Sequence, residues 1–290
     1  MFEGCLTALI TPFRNGVVDT KALEALVEEQ IAAGIDGLVP CGSTGESATL
    51  SHDEHEEVIR EVIRVARRRV PVIAGTGSNS TAEAIRLTKA AEAAGADGAL
   101  LISPYYNKPT QDGIVRHYAA VAEATRLPLI AYNIQGRTAS NITPETMVRL
   151  SRIPRLVGVK EASGSMAQVM DILGLCGPDF AVWSGDDGVT LPIMAAGGIG
   201  VISVASNLVP GWMLELTAAM RAGDLPHARR AQARLLPLFR HLFIEVNPIP
   251  IKAAMAMAGK CTDEMRLPLT PITEANRTVL HGVLRELGLV

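Results

Sequence analysis

Lys160 closes the run Leu156-Val157-Gly158-Val159. An ammonium at the end of so apolar a segment is desolvated, which favours a neutral amine able to attack a carbonyl. The chain has only six lysines, and the other five lie in polar or helical surroundings. The alternative reading is a buried lysine paired with a carboxylate. The adjacent Glu161 is a poor partner, because neighbouring strand positions face opposite ways. Ser43 and Thr44 stand between Gly42 and Gly45, where exposed amides and two hydroxyls would make a nest for a carboxylate. An ordinary strand-to-loop turn is the alternative there. Gly75-Thr76-Gly77-x-x-Ser80 lacks the third glycine of a dinucleotide fingerprint, and His52-x-x-His55 has helical spacing but no third zinc ligand.

Eight short apolar runs must position these residues: 6–10, 37–41, 70–74, 98–102, 127–132, 156–160, 180–184 and 199–204. Each is bounded by Gly, Pro, Ser or Asn, as buried strands are. Helical patterns fill the intervals. Ser51-x-x-Glu54 and Ser80-x-x-Glu83 read as capping boxes, and Thr143-Pro144 and Thr270-Pro271 place proline at the first helical position. Such alternation predicts a parallel α/β fold, a (β/α)8 TIM barrel over residues 1–224. From Leu208 onward the pattern is helical, with breaks near Gly223-Asp224 and at Asn247-Pro248-Ile249-Pro250, so a C-terminal helical appendage over 225–290 follows the barrel. An open doubly wound sheet is the alternative. In a barrel the site lies at the C-terminal strand ends, and there hydroxyls and phenols dominate, with one lysine.

Net charge is −3 and 48% of residues are hydrophobic, which argues for a large core and against nucleic acid or an anionic membrane as partner. Arg67-Arg68-Arg69 closes a helical pattern, where cations suit the negative helix end. The four cysteines form no CxxC pair, and neither a signal peptide nor a membrane-spanning run is apparent. A cytoplasmic location is expected.

The order and spacing of Gly42-Ser43-Thr44-Gly45-Glu46, Tyr132-Asn133 and Gly158-Val159-Lys160 carry a resemblance. The chain resembles the dihydrodipicolinate synthase family, within the superfamily that also holds N-acetylneuraminate lyase and related keto-acid aldolases. The likeness runs from Phe2-x-Gly4 to Thr270-Pro271. It implies that Lys160 forms an imine with pyruvate and that Tyr132, Thr44 and Tyr106 relay protons, Tyr106 reaching in from a neighbouring subunit. A homotetramer, built as a dimer of dimers, is implied with it. Ser43 and Thr44 would meet the pyruvate carboxylate, and Gly185 and Ile202 would wall the keto-acid pocket. Arg137 would clamp the carboxylate of aspartate semialdehyde, a task suited to a bidentate, always-charged guanidinium. Gln135 stands where the family usually has proline, and Ser43 where threonine is common.

In lysine-inhibited members the inhibitor site matches Ala48, His52, His55, Asn79, Glu83 and Tyr105, so L-lysine is an implied partner. The implied reaction condenses pyruvate with aspartate semialdehyde to 4-hydroxy-tetrahydrodipicolinate, on the route to diaminopimelate and lysine. It requires no cofactor and no metal. An aldolase acting on a sugar-derived 2-keto acid would keep Lys160 and Tyr132 but replace the Arg137 clamp with a sugar-hydroxyl pocket. A non-enzymatic ligand sensor would have no need of an imine-forming lysine.

Overall fold

A computed structural model describes residues 2–290. The strands are β1 (Gly4–Ala8), β2 (Phe13–Arg14), β3 (Val17–Val18), β4 (Gly37–Val39), β5 (Ile73–Gly75), β6 (Gly98–Ile102), β7 (Leu129–Asn133), β8 (Leu156–Glu161), β9 (Ala181–Ser184) and β10 (Gly200–Ser203). All but β2 and β3 form one parallel sheet in the order β4-β1-β10-β9-β8-β7-β6-β5. The outer strands of that order meet through a Leu38–Val72 bridge, with Leu38 N donating to Pro71 O at 2.9 Å and Gly75 N to Pro40 O at 2.9 Å. The sheet therefore curls on itself as a barrel, and the open doubly wound alternative is excluded.

Helices α1 (Thr20–Ala32), α2 (His52–Ala66), α3 (Thr81–Ala94), α4 (Gln111–Ala124), α5 (Gln135–Thr138), α6 (Pro144–Leu150), α7 (Met166–Leu175), α8 (Thr190–Ala195) and α9 (Pro210–Arg221) connect and surround the strands. α10 (Leu225–His241), α11 (Ile249–Met257) and α12 (Glu274–Glu286) follow. Alternate strand residues point inward, so Leu6, Val39, Ile73, Leu100, Ile130, Tyr132, Trp183 and Ile202 share one inner cluster. The opposite strand faces join the larger cluster under the helices.

Several expected boundaries move. The runs at 70–74 and 127–132 enter strand ladders only at Ile73 and Leu129, beyond the lone Leu38–Val72 bridge, because Pro71 and Pro128 lack the N–H a ladder needs. Ser51 and Glu54 form a full capping box, but Ser80 and Glu83 form half of one. There the Glu83 carboxylate turns instead to Ser78 and His52. Thr270-Pro271 does not open a helix: α12 is capped by Thr273, and residues 258–273 are an irregular strap rather than part of a continuous helical run. The β2–β3 hairpin lies outside all eight apolar runs. Its Asn15-Gly16 turn has φ of 56° and 81°, the left-handed pair that a two-residue hairpin loop demands.

The strap and the last helices grip the barrel. α10 packs on α9, and α12 on α10 and α11. Glu264 accepts from Asn15 N and Gly16 N at 2.8 and 2.5 Å, and Arg266 pairs with Glu54 at 2.6 Å. No helix among the described residues is long and apolar enough to cross a membrane.

Candidate active site

Parallel register places Tyr132 of β7 beside Lys160 of β8, and Asn133 beside Glu161. Alternation then separates the two pairs. Lys160 and Tyr132 face the barrel axis, with Nζ 4.3 Å from the phenol ring centroid. Glu161 faces away, accepting from Asn133 Nδ2 at 3.1 Å and Ser163 N at 2.7 Å, with Gln168 and Asn141 completing the network. Lys160 is thus buried beside a phenol and pairs with no carboxylate among the described residues. Burial brings its pKa down to about 8; the Asp187 charge opposes that fall and the Arg137 charge adds to it. Burial pushes Tyr132 up to about 12, with Arg137 and Ser43 pulling the other way. The pair is therefore an amine available near neutrality and a phenol that keeps its proton.

A second buried lysine shows what pairing would look like. Lys252 of α11, wholly buried, donates to Glu46 Oε1 and to Glu264 O, each at 2.6 Å. Its pKa is also lowered, chiefly by burial, but Glu46 opposes the fall directly. The expectation that the other five lysines lie in polar or helical surroundings misses this burial. Helix α11 is apolar on all sides, so a lysine within it has no route to solvent. Glu46 ends the Gly42–Glu46 turn in a left-handed conformation, so this ion pair ties α11 to the segment bearing Ser43 and Thr44.

Asn247, just before α11, joins two more expected residues. Its Nδ2 donates to Thr44 Oγ1 at 3.0 Å, and its carbonyl accepts from Arg137 Nη2 at 2.6 Å. Arg137 lies in the single turn α5, which opens on Gln135 and is held by Thr138 Oγ1 donating to Ile134 O and Ser140 O at 3.1 and 2.8 Å. Thr44 and Tyr132 share no hydrogen bond in this structure. Gly185 lies against Lys160: a Cβ there would be 3.2 Å from Lys160 Cε and 2.7 Å from Ala162 Cβ. Only glycine leaves that space open. Ile202 is buried in the inner cluster with Tyr132.

A cavity of about 510 Å³ opens over these strand ends, lined by Ser43, Tyr132, Arg137 and Asn247. It continues to Ala48, His52, His55, Glu83 and Tyr105, so two sets of expected residues border one space. Glu83 accepts from Ser78 and meets His52 Nε2 at 2.7 Å; these contacts, Ser78 first, hold its carboxyl below the usual range. His55 is kept neutral by burial, and its Nδ1 has no partner among the described residues. Asn79 stands outside the lining, its carbonyl accepting from Asn107 Nδ2 at 2.9 Å. Tyr106 is not brought to Lys160: it is 87% exposed, with φ of 70°, and does not line this chain's own cavity. His52 engages Glu83, and no group of three metal-ligating side chains occurs among the described residues.

The expected set therefore misses Asn247, the Glu46–Lys252 pair, Asp187 and the Asn133–Glu161 network. For Lys252 the apolar run around it was the available signal. The others carry no local pattern, because their partners are remote in sequence.

Comparison with known proteins agrees with this geometry. The model of the dihydrodipicolinate synthetase family matches residues 1–287. The 4-hydroxy-tetrahydrodipicolinate synthase of Syntrophus aciditrophicus is 54% identical, with each chain covered over 100% of its length. A dihydrodipicolinate synthase from Acinetobacter baumannii, solved in complex with pyruvate, superposes with a TM-score of 0.98 at 46% identity, covering 100% of both chains. The enzyme of Cyanidioschyzon merolae with lysine bound superposes at 0.96 and 42% identity, covering 100% of this chain and 99% of its own. With a (β/α)8 barrel, a buried lysine on β8, the sixth of its strands, and full-length similarity of this depth, the chain belongs to the dihydrodipicolinate synthetase family.

Proposed function

We propose that this chain condenses pyruvate with L-aspartate-4-semialdehyde to 4-hydroxy-tetrahydrodipicolinate, through an imine on Lys160. The observation that carries this reading is a buried, carboxylate-free lysine with pKa near 8, lying against Tyr132, which lines a cavity that Arg137 also borders. Lys160 Nζ attacks the ketone carbon of pyruvate, and water leaves as the imine forms. Tyr132, Thr44 and the partner subunit's Tyr106 carry the protons. The imine accepts the electron pair left when the pyruvate methyl loses a proton, and the enamine carbon attacks the aldehyde. Arg137 holds the carboxylate of that second substrate, while Ser43 and Thr44 meet the pyruvate carboxylate and Gly185 and Ile202 wall its pocket. The amine of the second substrate then displaces Lys160, closes the ring and frees the enzyme.

The Asn247 contacts support this assignment, since one residue fixes both Thr44 and Arg137. The outward Tyr106 supports assembly as a dimer of dimers, in which each site is completed by its neighbour. L-lysine would bind at Ala48, His52, His55, Asn79, Glu83 and Tyr105 as feedback inhibitor. Glu83 offers a carboxylate for an ammonium group and His55 Nδ1 a free ring nitrogen. On this reading residues 1–224 form the catalytic barrel, and 225–290 a helical domain that braces the site through Asn247 and Lys252.

The test is a coupled assay with pyruvate and aspartate semialdehyde, in which a reductase reports ring product, with and without L-lysine. Turnover suppressed by lysine and largely lost in Arg137→Ala is expected. Turnover indifferent to lysine would remove the inhibitor site from the reading. Absence of turnover in protein that still forms a pyruvate adduct would assign it to the sugar-acid lyases.

A further inference from the structure

Asn247 is 5% exposed and lines the cavity beside Arg137. Its Nδ2 donates to Thr44 Oγ1 at 3.0 Å, and this is the only hydrogen bond of the Thr44 hydroxyl among the described residues. Lys252 of α11 donates to Glu46 Oε1 at 2.6 Å, at the far end of the turn that bears Thr44. The segment from Asn247 into α11 therefore grips the Gly42–Glu46 turn at two points, which leaves Asn247 little freedom to part from Thr44. The other end of the amide, Oδ1, is buried with no partner among the described residues. A buried amide with one end unpaired costs stability that an apolar side chain would not. Packing alone does not account for an asparagine here.

We propose that the side chain of Asn247 is a positioning residue that gives the proton relay its direction, by committing the Thr44 hydroxyl to donate. A hydroxyl accepts at its oxygen and donates through its single hydrogen. With Nδ2 occupying an acceptor position on Thr44 Oγ1, the Thr44 hydrogen is turned away from the amide and is uncommitted. Formation of the imine requires one proton for the carbinolamine hydroxyl that departs as water. Tyr132 gives that proton and takes the Thr44 hydrogen in exchange, and Thr44 is replenished by the partner subunit's Tyr106. A Thr44 hydroxyl without the amide would rotate, and would spend part of its time with the hydrogen aimed where no transfer can occur. The Asn247 carbonyl accepts from Arg137 Nη2 at 2.6 Å, but that tie runs through the backbone and does not depend on the side chain.

This inference rests on the proposed Lys160 imine and its relay, and the test separates them. Pyruvate is mixed with protein, the imine is trapped with borohydride at intervals, and the rate of Lys160 adduct formation is read by mass spectrometry. The proteins are the parent, Asn247→Ala, Thr44→Val and the double variant. Asn247→Ala should slow trapping at least about tenfold in the parent, but less than about twofold in the Thr44→Val background. Equal slowing in both backgrounds, or none in either, would overturn the proposal, because Asn247 would then act without Thr44 or not at all. In the coupled assay Asn247→Ala should lower kcat while KM for aspartate semialdehyde stays within about threefold. A KM that rises in step with the loss of rate would mean that the Arg137 turn has slackened, and would also overturn it. A Thr44→Val rate equal to the parent's defeats the relay, and no Lys160 adduct in the parent defeats the imine; the proposal falls with either. If Asn247→Ala does not accumulate as folded protein, Asn247→Ser, too short to reach Thr44, takes its place in the same cycle with the same pattern required.

Discussion

The two buried lysines should respond to the same substitution with opposite signs. Lys160 pays for burial without an ion pair, and its pKa near 8 against an ordinary 10.5 measures the cost. A fall of that size corresponds to about 3 kcal/mol of free energy lost on folding at pH 7. The sign is set by proton binding: between about pH 8 and 10.5 the unfolded chain holds the proton and the folded chain does not, so stability rises with pH across that window. Lys160→Met keeps the stem and removes the charge, so it should stabilise by up to about 3 kcal/mol at pH 7 while abolishing the proposed activity. Lys252→Met strips the partner from Glu46, which is itself wholly buried and would be left as an uncompensated charge. That change should destabilise by about 3–5 kcal/mol. Equilibrium denaturation of both variants beside the parent, at pH 7 and pH 9.5, decides the matter. The Lys160→Met gain should shrink at the higher pH. A Lys160→Met variant less stable than the parent would mean that the amine has a partner, and the reasoning about its free base would fail.

Three further outcomes follow from the site. Pyruvate imine formation should rise with pH and level off above about 8, and Arg137→Ala should move that inflection upward, because it removes a charge that depresses Lys160; trapped adduct against pH measures both. Gly185→Ala should lower the rate of trapping and cost about 1–3 kcal/mol in a denaturation experiment, since the new Cβ would sit 2.7 Å from Ala162 Cβ and 3.2 Å from Lys160 Cε. Glu83→Gln should weaken inhibition by L-lysine at least about tenfold with basal turnover kept, read from inhibition curves, because a half-buried carboxylate is exchanged for a neutral amide.

Much of this architecture is legible in the sequence because barrel strands are buried on both faces and read as short apolar runs. Their ends are less legible. Hydrophobic character continues past the hydrogen-bonded ladder, as at Val70-Pro71-Val72, where proline delays the regular strand until Ile73. Thr270-Pro271 carries a helix-start signal, yet Thr273 takes the cap, with Glu245 accepting from both its amide and its hydroxyl at 2.9 and 2.7 Å. The inward direction of Lys160 and the outward direction of Glu161 followed from strand alternation alone, and both are as expected. What sequence could not display is the bracing from the far end of the chain. Asn247 meets Thr44 across 203 residues and Lys252 meets Glu46 across 206, and no local spacing encodes such pairs. The Asn-Gly hairpin shows the converse case: its turn chemistry is explicit, but two-residue arms are too short to register as apolar runs.

Reduction of the purified protein with borohydride in the presence of pyruvate, followed by peptide mapping, bears most directly on Lys160. A single pyruvate-derived adduct on Lys160, with Lys252 unmodified although equally buried, is the expected result. An adduct on any other lysine, or none under conditions where the protein turns over its substrates, would contradict an imine mechanism at this residue.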